Sequence, residues 1–240
     1  MNSGKKHHAS SVHDEDQWIS LSDIMASMMM IFLLISVAYM LKMEKLANII
    51  KDTKQDIYQE LKQSLGNDLD KWGAELSPDL TIAFQDPDTL FDSGSAELKE
   101  KYKSNLNEFF PKYLKTIMQD NIKDKIKEVR IEGHTSSHWK WDTPANEAYF
   151  LNMALSQERT RDTLNYVMNN TSLSDIEKEW LQKKFRAIGF SSAAPRDKHG
   201  NPAESPDTED PLMSQRVEFK LLTNTEDLIN QAANDRQVGL

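Results

Sequence analysis

Val129-Arg130-Ile131-Glu132-Gly133-His134-Thr135-Ser136, followed after an insert by Asn152-Met153-Ala154-Leu155-Ser156-Gln157-Glu158-Arg159, is the stretch on which the fold turns. Its first part reads as a short strand that ends at Gly133, and residues 152–169 read as a helix. Working outward, residues 95–120 are helical by pattern, with Pro111 kinking that helix or starting a new segment. Before it, Ser77-Pro78 halts any incoming helix, and Leu80, Ile82 and Phe84 alternate as a strand does. Downstream, Ser174 is placed to cap a short helix with Glu177 three residues on, and residues 185–188 and 216–222 supply two more strands. The order strand, helix, strand, helix, strand, strand predicts an α+β sandwich, a βαβαββ domain over residues 77–223. Residues 191–214 are rich in Pro, Ser, Asp and Asn and read as a long exposed loop. No internal repeat is evident, and the polar residues 224–240 form a C-terminal tail, either a short helix or frayed.

Upstream lies a helical linker, residues 42–76. No proline interrupts residues 42–72, and Met43, Leu46, Ile50, Ile57, Leu61 and Leu65 recur at helical intervals among charged residues. Two readings stay open: a two-stranded coiled coil that pairs two chains, or a helix packed on the domain that follows.

Residues 24–41, IMASMMMIFLLISVAYML, carry no charge, and Trp18 and Ile19 extend the apolar run at its start. Residues 18–41 cover roughly 35 Å as a helix, which is enough to span a bilayer with Trp18 and Tyr39 in its interfacial rims. A cleaved signal peptide fits poorly. The run is too long, no small-residue cleavage site follows it, and a charged helical segment continues directly from Lys42. Lys5 and Lys6 precede the span while Lys42 and Lys45 follow it, so charge alone does not orient it. Asp23 stands near the start of the span, and the small residues Ala26 and Ser27 one turn on would let another helix approach and shield its carboxylate. The alternative is an interfacial helix start, with Asp23 or Ser22 capping in the headgroup layer.

Composition narrows the function classes. The net charge of −9 and the absence of a Lys/Arg cluster argue against a nucleic-acid partner. The lack of cysteine excludes disulfides, thiolate catalysis and cysteine zinc sites. His134 and His138 have zinc-like spacing without an evident third ligand, and no nucleophilic triad or phosphate loop stands out. The chain reads as a non-enzyme with no cofactor.

Three ordered pieces, Phe91-Asp92-Ser93-Gly94-Ser95-Ala96-Glu97-Leu98, Ile131-Glu132-Gly133-His134-Thr135 and Asn152 through Arg159, resemble the OmpA-like peptidoglycan-binding domain. Gln215-Arg216-Val217-Glu218-Phe219 resembles that family's last strand. The resemblance implies that Asn152, Leu155, Arg159 and Thr135 bind the peptide stem, with Arg159 taking a diaminopimelate carboxylate and the helix start adding N–H donors. Without the resemblance, Asn152 is a helix cap and Arg159 a solvated charge. One departure stands out: the family's Asp after Gly-His-Thr is Ser136 here, and Asp142 or Glu147 in the insert are possible stand-ins. His138, Trp139 and Trp141 in the same insert either line a sugar-binding surface or pack the loop.

Asp23-Ile24-Met25-Ala26-Ser27-Met28-Met29 resembles the start of the span in B subunits of bacterial ion-driven stators, and the continuation to Met40 resembles B subunits of Zorya anti-phage defence systems. That resemblance implies an inner-membrane protein with its N-terminal segment, residues 1–17, in the cytoplasm and its domain in the periplasm. It further implies a homodimer inside a ring of multi-span A subunits, five A to two B, with Asp23 carrying the ion, a proton. Peptidoglycan would hold the dimer, and cytosolic defence effectors would be reached indirectly through the A subunit. A flagellar-type stator subunit and a passive membrane-to-wall tether are the alternatives.

Overall fold

A computed structural model describes residues 9–224 and residue 227. The first part of the N-terminal segment and nearly all of the C-terminal tail therefore lie outside the described residues. The chain divides into two units, Met1–Ile50 and Lys51–Leu240.

The first unit contributes the N-terminal part of helix α1 (Ala9–Leu65). Residues 21–45 are exposed on every face, including Met29, Phe32 and Leu34. A helix apolar all round needs lipid or other helices about it. Its serines are already satisfied: Ser22 Oγ donates to Trp18 O and Ser36 Oγ to Phe32 O, both at 2.8 Å. Such back-bonding is how a hydroxyl is tolerated away from water. Among the described residues, Asp23 is exposed and makes no hydrogen bond or ion pair.

The second unit begins with the last turns of α1. Ile57, Leu61 and Leu65, four residues apart, are fully buried and belong to the same core cluster as Phe109, Tyr113 and Phe219. Thr116 Oγ1 donates to Ser64 Oγ at 2.8 Å. Of the two readings of the linker, packing on the domain holds for this half of the seam, because these residues have no surface left for a second chain. The chain then turns through α2 (Leu69–Trp72), and Gly73, at φ 63°, ends that helix in the left-handed region. Strand β1 (Ala74–Leu76) follows at once, so the sheet starts inside the expected linker. Three residues are too few to show a period, which is why β1 escapes a reading by pattern.

β2 (Thr81–Phe84) is buried at all four positions rather than at alternate ones. After α3 (Pro87–Leu90), α4 (Glu100–Ile117) runs unbroken through Pro111, its inner face buried by Tyr102, Leu106, Phe109, Phe110 and Tyr113. β3 (Ile126–His134), α5 (Ala145–Asn170), α6 (Asp175–Lys184) and β4 (Phe185–Gly189) form a parallel crossover. Ser174 and Glu177 complete a reciprocal capping box at the start of α6. A short α7 (Pro211–Ser214) precedes β5 (Arg216–Thr223).

The sheet order is β1-β2-β5-β3-β4, antiparallel except for β3 with β4. Alternation on the central strands sorts their two faces. Val129, Ile131, Val217 and Phe219 join the core with the helices, whereas Arg130, Glu132, His134, Arg216 and Glu218 line a cleft on the opposite face with residues 193–196, Gly200, Pro202 and Ala203 of the long loop. The expected exposed loop thus walls a polar cleft.

Truncating Leu61 to Ala should cost about 2–5 kcal/mol of domain stability, read as a shifted urea midpoint of the full chain. An unchanged midpoint would return residues 57–65 to the linker.

Candidate functional site

The site is built where α5 crosses the ends of β3 and β4. Gly133 and Gly189 are register partners there. A Cβ on Gly133 would stand 2.7 Å from Thr160 Cγ2 and 2.8 Å from Ser156 O, and one on Gly189 would stand 2.4 Å from the Gln157 backbone nitrogen. Only hydrogen at both positions lets the helix backbone come this close. The contact is then fastened by polar groups: Gly189 N–H donates to Gln157 Oε1 at 2.8 Å, Gln157 Nε2 to Ala187 O at 3.2 Å and Ser191 N–H to Ser156 Oγ at 3.0 Å.

α5 starts at Ala145, so Asn152 lies two turns inside it and is no cap. Pro144 followed by Ala145, Asn146, Glu147 and Ala148 begins the helix in what reads as an insert. The expectation that helix-end N–H donors face the ligand beside Asn152 is therefore corrected: those N–H groups are already in the helical ladder. Asn152, only 2% exposed, instead donates Nδ2 to Ser136 O at 3.0 Å and His138 O at 3.3 Å, fixing the loop after β3. Thr135 is buried, its N–H donates to Ser191 O at 2.9 Å, and its hydroxyl has no partner. Leu155 is buried on the same helix.

Arg159 is 6% exposed, so it is not a solvated surface charge. Its Nε donates to Ser95 O at 2.8 Å and one Nη to Asp92 O at 3.1 Å, with the guanidinium 4.7 Å over the Phe91 ring. Burial pulls its pKa down to about 10, still charged at neutral pH. Arg159 also lines a cleft of about 210 Å³ with Asp88, Asp92, His134, Gln215 and Arg216. Of the four residues implied by the resemblance, it is the one on this cleft; Asn152, Leu155 and Thr135 do not line it.

The insert is arranged differently from either simple reading of it. Ser136 is buried, whereas Asp142 and Glu147 are exposed. A carboxylate does reach this loop, from residue 209: Ser137 N–H donates to Glu209 Oε1 at 3.0 Å and its hydroxyl to the other oxygen. Trp139 is half-buried, while Trp141 is wholly exposed, so loop packing does not account for Trp141.

A second group, of which sequence reasoning singled out His134 alone and paired it with His138, lies on the other sheet face. On the polar sheet face, Glu132 stands opposite Glu218 and His134 opposite Arg216. Arg216 Nε and Arg196 Nη reach Glu218 Oε1 at 2.6 and 2.9 Å. Although burial alone would raise it, the partners hold the Glu218 carboxyl near a pKa of about 2. Burial raises that of Glu132 and lowers that of His134. The signal was there: charged residues at alternate positions of two central strands mark a polar face that must be paired.

The OmpA family profile matches residues 90–208, the stretch that carries this site. Across 222 residues the chain is 44% identical to the Zorya protein ZorB of Escherichia coli, an alignment covering 89% of this chain and 90% of the relative. The chain belongs to the ZorB family. Among solved structures, this ZorB-family chain is similar to a putative MotB-like protein from Desulfovibrio vulgaris, at 17% identity and a TM-score of 0.46 over 72% of this chain and 93% of that one. It is also similar to the cell wall anchor of the T6SS from Pseudomonas aeruginosa, at 17% identity and a TM-score of 0.44 over 68% and 96%.

Replacing Arg159 with Ala strips the donors from Ser95 O and Asp92 O, each a loss of about 1–3 kcal/mol if left dry. The variant should unfold at clearly lower urea, and Lys should not restore it, because one ammonium on a flexible stem does not reproduce the fork. Wild-type stability in the Lys variant would contradict this clamp.

Proposed function

We propose that this ZorB-family protein is the wall-anchored B subunit of a proton-driven inner-membrane motor in anti-phage defence. The observation that carries the reading is Asp23, the one acidic or basic side chain in residues 18–41, without a partner among the described residues. A lone carboxylate there is costly against lipid and acquires a purpose when a second protein shields it and delivers ions to it. A membrane potential contributes about 2.3 kcal/mol per charge per 100 mV, enough to drive repeated loading and release.

In this reading two copies place their helices within a ring of multi-span A subunits, five A to two B. The N-terminus is cytoplasmic and the OmpA-family domain periplasmic. Peptidoglycan holds the B subunits still while the ring turns, and the A subunits relay that rotation to cytosolic effectors.

For the wall contact, Arg159 offers its remaining guanidinium donors to a stem-peptide carboxylate in the 210 Å³ cleft. Asn152, Thr135 and Leu155 shape the adjoining wall and loop. Glu209, rather than Asp142 or Glu147, takes the place of the family's missing carboxylate, because it is already bonded to the loop at Ser137.

Asp23→Asn should abolish protection in a plaquing assay of cells carrying the full gene cluster, at unchanged membrane levels of the protein. Retained protection would leave a passive tether as the better reading, and lost motility instead would select a flagellar stator.

A further inference from the structure

His134 is a buried side chain whose polar atoms no interaction described so far accounts for. Its side chain is 4% exposed, and among the described residues neither Nδ1 nor Nε2 has a partner within ordinary hydrogen-bond geometry. The ring is stacked on Phe190 with centroids 5.1 Å apart, so its direction is set by packing. A buried imidazole with Nδ1 unpartnered among the described residues and Nε2 only at long range from a carboxylate is costly and calls for an explanation. Nε2 points toward Glu218 Oε2 at 3.5 Å. That oxygen is free for another bond, since the arginine contacts all fall on Oε1. Glu132 lies opposite Glu218 across the β3–β5 pair, and its one ion pair is a long one, 3.9 Å to Arg130 Nη1. One donor atom each from Glu132, His134 and Glu218 lies within 4.8 Å of the other two.

We propose that Glu132, His134 and Glu218 form a site for a divalent transition-metal ion of the zinc type on the polar face of the sheet. Tetrahedral zinc needs donor atoms roughly 3.4 Å apart, so each side chain closes by about an ångström or less. Three protein donors leave a fourth position toward the cleft bounded by Pro195, Arg196 and Gly200, open to water.

Charge selects among metals. Arg130, Arg196, Arg216 and Lys220 line the same cleft and outnumber its carboxylates, Asp79, Glu132 and Glu218, so the cluster presents no net negative charge. Calcium and magnesium depend on several anionic or carbonyl oxygens, which this set does not supply. Zinc also bonds a neutral imidazole strongly, and burial keeps His134 in that neutral form. The ion would tie β3 to β5, and His134 also lines the Arg159 cleft on the other side of the strand ends. This proposal does not depend on the motor reading.

The test uses the full chain in detergent, stripped with a chelator, re-equilibrated with Zn²⁺ and dialysed before elemental analysis, with Co²⁺ absorption as a second readout. Stoichiometric zinc, a tetrahedral cobalt spectrum, and loss of both in His134→Gln and Glu132→Gln are expected. A variant lacking His7 and His8 should keep the metal. Circular dichroism checks folding, and if His134→Gln does not fold, Glu132→Gln decides alone. No retained zinc, zinc retained by the folded variants, or zinc lost with His7 and His8 would each overturn the site.

Discussion

Helix α5 rests on two glycine hydrogens. Gly133 and Gly189 face each other across the parallel strands β3 and β4, and a methyl group on either would meet the helix backbone as well as a side chain, and the backbone cannot rotate away. The close seat lets Ser156 and Gln157 bond to the end of β4 and to Ser191, two residues beyond it. It also sets the height at which Arg159 reaches the carbonyls of residues 92 and 95, and at which Asn152 reaches those of residues 136 and 138. Three loops that are distant in sequence are thus held by one helix, and the helix by two missing side chains.

The other sheet face obeys a different constraint. Glu132 opposite Glu218 would be repulsive, and buried charges cost several kcal/mol each when left unpaired. Arg216 and Arg196 answer this for one carboxylate, and the long loop after β4 supplies Arg196. That loop is therefore part of the structure on both sides, giving Arg196 to the polar face and Glu209 to the loop beyond β3. The buried ion network trades desolvation for specificity: Arg216 and Glu218 of β5 meet His134 and Glu132 in one register only, because a slip by one residue would send every charge into the apolar core.

Much of this was legible in the sequence. The strand running into Gly133, the capping box at Ser174 and Glu177, and the charge-free run from residue 24 to 41 each carry a local physical signal, and the elements lie where those signals put them; the alternation of Leu80, Ile82 and Phe84 located β2 but not its start or its burial, since Leu80 turns at φ 69° and all four strand residues are buried. What was hidden depended on tertiary partners. The seam Ile57, Leu61, Leu65 has the same spacing whether it meets a second chain or its own domain, and only the fold decides. β1 is too short to show a period. The start of α5 was masked because the insert looked like loop, although Pro144 before Ala145 is a fair helix start. Arg159 was singled out through the OmpA resemblance, but its role as a clamp was hidden, since its carbonyl partners lie more than sixty residues away.

In this ZorB-family chain, then, a carboxylate in an apolar helix, without a partner among the described residues, and a domain organised about α5 are joined. The domain half of that arrangement stands or falls with the glycine seat, and urea unfolding of the full-length Gly189→Ala protein tests it most directly. The account predicts a loss of roughly 1–3 kcal/mol or more, because the new methyl group must push α5 off the sheet. A midpoint and slope equal to those of the wild type would contradict the seat and, with it, the positions assigned to Arg159 and Asn152.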